Sequence, residues 1–338
     1  MRSREPTGWN LFARWRSSRA DDRQTDHTVV AGGIVPTTPS VDRTTSPQAR
    51  PRASAGPASE GTIWVTTLVE NSVSGRNLKA EHGLACLIRN GGHCLLFDTG
   101  QSDLVQQNAR EMGLSLEEVE AIALSHGHYD HTGGLSAAHK LAPNARLFLH
   151  PAALKPKFAG NPDGTSRSVG LPDATLQAIH QAGDRVVWTT KPTEVLAGIF
   201  VTGEIPHETP YEDTGGPFFL DDSCTQRDPL VDDQALFFDT RDGVVVLLGC
   251  AHAGVVNTLN YVRLITRGRP IHTVLGGMHL LAANAHRIEK TFAAFRELDI
   301  RQLGPAHCTG VIPTARLRTQ FPDRCVVCMV GSSLAFHR

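Results

Sequence analysis

No stretch of the 338-residue sequence approaches the roughly 20 consecutive apolar residues that a membrane-crossing helix needs. Arg2, Arg4, Arg14 and Arg16 flank only a short apolar patch, Trp9 to Phe12, too brief for the core of a secretory signal. Charge of one sign is missing too: the formal net charge is -1, so no global field gathers nucleic acid or an anionic membrane. Short-period repeats are absent. Cysteine is sparse and odd in number, seven residues spread from Cys86 to Cys328, unlike the dense framework of a small secreted domain. These absences argue against a membrane protein, a repeat array and a disulfide scaffold. The expectation is a cytoplasmic protein whose partner is a small-molecule substrate, with neither nucleic acid nor membrane. Oligomeric state is not legible.

What is present is a globular composition, 40% apolar and 20% charged, enough for a substantial core. Residues 1–61 differ, being rich in Arg, Ser, Thr, Pro and Ala with little apolar periodicity. They are expected to form a disordered extension ahead of a folded domain over 62–338. A wrongly assigned start codon would give the same composition.

The folded part opens on the β-branched run Thr62 to Val69, then a hairpin of Leu84 to Ile88 and His93 to Phe97 around Asn90-Gly91-Gly92. Leu104 to Met112 has helical spacing, Ser115 with Glu118 forms a capping box for a short helix, and Ala121 to Leu124 reads as a buried strand. The breaker-rich segment between Pro151 and Pro192 is expected to be an excursion near a site mouth rather than core. Strands resume at Arg185 to Trp188, Ile199 to Thr202, Ala235 to Phe238 and Val244 to Leu248. Helices Val255 to Ile265 and Ala285 to Leu298 then alternate with strands His272 to Leu275 and Cys325 to Val330. Two β-rich halves with flanking helices predict an α/β fold, a four-layer αββα sandwich.

Sixteen histidines make imidazole chemistry the conspicuous resource. The decisive run is His126-Gly127-His128-Tyr129-Asp130-His131-Thr132-Gly133-Gly134, placed after an apolar strand and before a helical segment. In extended chain His126 and His128 point the same way, so two imidazoles can hold one ion. Asp130 and His131, on the following turn, face elsewhere and can serve a second. The glycines keep the bend free of bulk. His252 follows the strong strand Val244 to Leu248 at a turn that opens a helix, and is taken as a further ligand. His307, in a strand-end loop after Leu303-Gly304-Pro305-Ala306, is taken as another. His279 is a candidate catalytic residue in a similar loop, though it can equally orient substrate or cap the next helix. His82 and His207, beside Gly or Pro, read as loop residues with at most a substrate contact. Cys325-Val326-Val327-Cys328 lacks a second Cys or His pair, so a buried strand is the expectation rather than a zinc site.

The signature His-x-His-x-Asp-His at His126, His128, Asp130 and His131 resembles that of the metallo-β-lactamase-fold superfamily. Leu96-Phe97-Asp98-Thr99-Gly100 resembles its strand-ending Asp-Thr-Gly segment, in which Asp98 either supports the site or merely caps a turn. Glu81-His82-Gly83-Leu84, Thr202-Gly203-Glu204-Ile205-Pro206, Gly249-Cys250-Ala251-His252-Ala253-Gly254, Gly276-Gly277-Met278-His279-Leu280 and His307-Cys308-Thr309-Gly310 narrow the likeness. They point to a subgroup similar to 7,8-dihydropterin-6-yl-methyl-4-(β-D-ribofuranosyl)aminobenzene 5'-phosphate synthase. The resemblance implies a metallo-hydrolase with two divalent ions, zinc first, with iron, manganese and nickel left open. Asp130 would orient a metal-activated water, and His279 or another loop histidine would protonate the leaving group of a small ester or phosphate compound or bind its phosphate. A synthase-type transferase and a non-catalytic metal-binding protein are the alternatives. One departure stands out. Where many members carry a metal-bridging aspartate after a late strand, this chain has Cys250, either a thiolate ligand or a small buried residue whose role His252 takes over.

Overall fold

The computed structural model describes residues 61–338, so the extension expected over 1–61 lies outside the described residues except for Gly61. β1 (Thr62–Val69) leads into a hairpin of β2 (Ala85–Asn90) and β3 (His93–Phe97). Gly91 closes that hairpin at φ 60°, the left-handed conformation a two-residue turn demands. Then come α1 (Leu104–Glu111), β4 (Ala121–Ala123), the single turn α2 (Tyr129–Thr132), α3 (Leu135–Leu141) and β5 (Arg146–Leu149). β6 (Phe158–Gly160), β7 (Ser166–Ser168), α4 (Asp173–Ala182), β8 (Val186–Trp188), β9 (Thr193–Leu196), β10 (Ile199–Val201) and β11 (Phe218–Phe219) follow. The chain ends with β12 (Leu236–Thr240), β13 (Gly243–Leu248), α5 (Val255–Ile265), β14 (Ile271–Gly277), α6 (Ala285–Glu297), β15 (Gln302–Ala306), α7 (Val311–Gln320) and β16 (Ser333–His337).

These strands form a seven-stranded sheet ordered β16-β1-β2-β3-β4-β5-β8, a six-stranded sheet ordered β15-β14-β13-β12-β10-β9, and a small sheet β11-β6-β7. Side-chain alternation decides the layering. In β3, Leu95 and Phe97 enter the core between the two large sheets, while Cys94 and Leu96 face outward to α1, α3 and α4. In β13, Val245 and Leu247 enter that same central core, while Val244, Val246 and Leu248 pack under α5 and α6. Both faces of each sheet are therefore covered, which suits runs as apolar as Val244 to Leu248. The result is the anticipated αββα sandwich.

Parallel pairing concentrates the functional loops. β3, β4, β5 and β8 run parallel in one sheet and β13, β14 and β15 in the other. Asp98, His126, Cys250, His279 and His307 all lie just beyond the carboxyl ends of such strands, where open α/β sheets place ligands.

Three expectations fail. Ser115 and Glu118 form no helix, only a turn in which the Val119 N–H bonds Leu116; Glu120 is already pairing with Cys94, so recruitment by β3 overrides the capping signal. The stretch between Pro151 and Pro192 is not a mere excursion, because Ala178, Ile179 and Ala182 of α4 enter the core and β8 extends a sheet. Cys325 to Val330 is not a strand. Cys325 bridges Leu303 in one sheet and Val330 bridges Val73 beside the other, so the segment crosses between layers, leaving Val327 48% exposed. The true edge strand is β16, paired antiparallel with β1.

Candidate metal centre

The chain leaves β4 extended, with His128 at φ -83° and ψ 147°, and then coils for one turn in α2. That change of geometry places His126 and His128 on one side and Asp130 and His131 on another. Gly127 is required between the histidines: a Cβ there would lie 2.5 Å from the Ala153 carbonyl oxygen and 2.9 Å from Lys157 Cε.

His126, His128 and His252 form the first cluster, with ligand atoms within 4.8 Å of one another. All three rings are buried, and each Nε2 is buried without a hydrogen-bond partner. The other nitrogens explain the orientation. His252 Nδ1 donates to the Thr214 carbonyl at 2.8 Å, and His126 Nδ1 donates at 2.9 Å to Ser125 Oγ, whose own proton goes to Asp98. Two of the three therefore turn a bare lone pair inward. Burial holds all three pKa values below the ordinary 6.5, His128 to about 3. Neutral imidazoles with unsatisfied buried acceptors suit a cation.

Asp130, His131 and His307 form the second cluster. His307 Nε2 lies 3.2 Å from both Asp130 Oδ2 and His131 Nε2, and the latter is 3.8 Å from Asp130. His131 Nδ1 donates to Asp98 Oδ2 at 2.7 Å and His307 Nδ1 to Asn71 Oδ1 at 2.9 Å, so both Nε2 atoms are steered inward. Burial alone would lower the His131 pKa, but the Asp98 and Asp130 carboxylates outweigh it and lift it to about 9. Without a metal the site thus holds a proton where a cation fits. Asp98, at φ 57° and fully buried, also accepts the Ser125 N–H at 2.7 Å; it supports the cluster rather than capping a turn.

Cys250 joins the two clusters. Its Sγ is 3.1 Å from His131 Nε2 and groups with His126 and His131, with His252 and His279, and with His307 and Cys308. The His279 ring is 4.3 Å from that of His252, and its backbone N–H donates to Cys308 Sγ at 3.3 Å. Phe218 covers the first cluster, 4.9 Å from the His128 ring and 5.2 Å from that of His252. His82, half in solvent, places Nε2 3.1 Å from Asp130 Oδ2. His207 is exposed and has no hydrogen bond or ring contact to the site among the described residues. Asp98, Ala251, His279 and His307 all adopt left-handed φ, a strain that surrounding structure must hold in place.

The loops of the first cluster are held by residues with no sequence signal. Asp232 accepts the Gly127 N–H at 2.8 Å, Asp233 the Ala253 N–H at 2.9 Å, and Gln234 bonds the Ser125 and Leu124 carbonyls at 2.9 and 2.8 Å. One tripeptide therefore fixes both loops that carry the first cluster. Lys157, 1% exposed, pins it through Asp232 at 2.7 Å and Asp228 at 2.8 Å.

Comparison with known proteins identifies the family. The metallo-beta-lactamase superfamily profile matches residues 78–265. The 7,8-dihydropterin-6-methyl-4-(beta-D-ribofuranosyl)-aminobenzene-5'-phosphate synthase of Methanocaldococcus jannaschii is 31% identical over 242 residues, 68% of this chain and 82% of that protein. A hydroxyacylglutathione hydrolase of Aeromonas hydrophila is 32% identical over 97 residues, 29% of this chain and 37% of its own. The crystal structure of a metal-dependent hydrolase of the beta-lactamase superfamily superposes with a TM-score of 0.70 at 29% identity, covering 82% of this chain and 100% of that one. No helix among the described residues is long and apolar enough to cross a membrane. With the profile spanning more than half of the sequence, the chain belongs to the metallo-beta-lactamase superfamily.

Proposed function

We propose that the chain is a metal-dependent hydrolase of a small ester- or phosphate-containing molecule. His126, His128 and His252 would hold one divalent cation and Asp130, His131 and His307 another, with Cys250 as a sulfur ligand between them. The observation that carries this reading is the set of buried, unpartnered Nε2 atoms of His126, His128 and His252, with Asp130, His131 and His307 within 3.8 Å of one another beside them. Mixed nitrogen, oxygen and sulfur donors favour zinc. Bound cations supply Lewis acidity toward a substrate oxygen and make water more acidic.

The chain's own groups do the rest. Asp98 holds the His131 proton at Nδ1, and Asn71 does the same for His307. Asp130 orients the attacking water, flanked by His82 Nε2. His279, its ring 4.3 Å from that of His252, would hold a proton for a departing oxygen. Phe218 keeps bulk water from His128 and His252. All seven cysteines are free, which suits a reducing compartment such as the cytoplasm.

Transfer chemistry like that of the 31% identical synthase is a second reading, supported by that identity over 242 residues. Pyrophosphate release from a pterin diphosphate would single it out. For the hydrolase, metal analysis of purified protein should find about two divalent ions per chain. A screen of phosphodiesters, thioesters and lactones should then find turnover. Joint His126→Ala and His128→Ala replacement should remove metal and turnover together, and turnover that survives it rejects the scheme.

A further inference from the structure

A cavity of about 420 Å³ opens beside His307, between α7 and the bend at Glu70 to Ser72. Its volume lies within the roughly 300–1,000 Å³ typical of small-molecule sites. His307 and Asn71, which bonds its Nδ1, both line it, so the cavity adjoins the second cluster.

One wall follows from helix geometry. Val311, Thr314, Ala315 and Arg318 recur at i, i+3, i+4 and i+7 and line the cavity, whereas Pro313 and Leu317 are buried, Leu317 in the core. α7 thus carries a second face that packing does not use. The rim is unusually apolar: Val311 is 84% exposed, Leu281 70% and neighbouring Ile312 74%. Large aliphatic side chains clustered in solvent beside a cavity mark a surface that a ligand covers.

Arg318 adds a positive charge to the lining. Nearby Arg316 and Arg324 pair with Glu289 and Asp299, but Arg318 has no ion pair among the described residues. Glu70 is the carboxylate in the cavity lining, and its oxygens are committed to the His307 N–H at 2.7 Å and the Ser72 N–H at 2.6 Å. The geometry points to a substrate-binding cavity for a small organic oxyanion. Val311 and Leu281 take its apolar, ring-sized body, and Arg318 takes its anionic group. This assignment deepens the hydrolase reading and rests on it for the identity of the reacting bond.

The test is calorimetric titration of the full chain, metal-stripped and metal-loaded, with 1-naphthylmethylphosphonate and with neutral 1-naphthalenemethanol. The phosphonate cannot be hydrolysed, and the stripped protein removes direct binding to metal. Arg318→Glu should weaken phosphonate binding about tenfold or more and leave the alcohol within about twofold, while Arg318→Lys keeps most of the affinity. Val311→Asp should weaken both probes. Both positions are exposed, so the variants should melt with the parent. Equal phosphonate affinity in the parent and Arg318→Glu overturns the assignment, as does failure of the stripped parent to bind either probe. Metal analysis of the same samples separates the two readings. A parent that holds no metal yet binds the phosphonate through Arg318 sinks the proposed reaction and leaves the cavity assignment standing.

Discussion

Lys157 sits 1% exposed between two carboxylates, its Nζ 2.8 Å from Asp228 and 2.7 Å from Asp232, and Asp232 passes the restraint on to the Gly127 N–H at 2.8 Å. Lys157→Met keeps the bulk and removes the charge, leaving two buried carboxylates with no cation between them. Breaking a buried pair from one side costs about 3–5 kcal/mol. That is a large share of the roughly 5–15 kcal/mol that holds a domain folded. At about 2–4 °C per kcal/mol, the metal-free protein should melt about 6–20 °C lower. Burial alone would discharge Lys157, but Asp232 and Asp228 outweigh it and raise its pKa above the ordinary 10.5. The lysine's contribution is therefore fully present below pH 10.5 and is lost only as pH rises through the raised value, so melting at pH 7.5 reads all of it. Adding Asp228→Asn and Asp232→Asn to Lys157→Met removes the unpaired charge while an amide oxygen can still accept from Gly127. This triple variant should recover most of the lost stability. A Lys157→Met protein that melts within about 2 °C of the parent would refute the argument, since the structure leaves that buried charge nowhere else to go.

Two further outcomes follow from the site. In metal-free protein, burial holds His126, His128 and His252 below 6.5, whereas Asp233, raised to about 7 by burial, opposes them. As pH falls below 6.5 the unfolded chain binds three protons that the folded one refuses at these histidines, and the folded chain keeps one on Asp233; burial also lowers His139, His150 and His207, which adds to the same side. Stability should therefore drop by at least about 3 kcal/mol per pH unit, two net protons at about 1.4 each; a melting temperature flat from pH 7 to 5 contradicts it. Cobalt-substituted parent should show a thiolate-to-cobalt absorption that Cys250→Ser lacks, and persistence of that band in the variant would remove Cys250 from the ligand set.

What the sequence made legible is what local chemistry encodes. His126, His128, Asp130 and His131 declare themselves because four donors fall within six residues at a strand end. His252 and His307 are legible because each follows an apolar strand at a glycine-rich turn. The layers were readable because β-branched runs such as Val244 to Leu248 can only be strands buried on both faces. Cys325 to Val330 misled by the same logic, since an apolar run states a preference for burial and not for a partner, and this one is stretched across two sheets.

The residues that hold the centre together were silent for a different reason. A buried lysine has the same letter as a surface one, and Lys157 acquires its meaning from Asp232, 75 positions away. Asp98, 33 positions from His131, is the exception, since its Asp-Thr-Gly segment marks it in the sequence, whereas Asn71 is 236 positions from His307 and carries no such mark. Gly249 looks like ordinary turn chemistry until Ser125 is placed, 2.1 Å from where its Cβ would stand. Metal ligands are constrained in type by the ion and cluster along the chain, so they leave a motif. Supporting residues are constrained only in position, and any donor or acceptor that arrives at the right place will serve. The strained φ values at Asp98, Ala251, His279 and His307 follow from this, because each is tolerated only while distant segments converge to hold it.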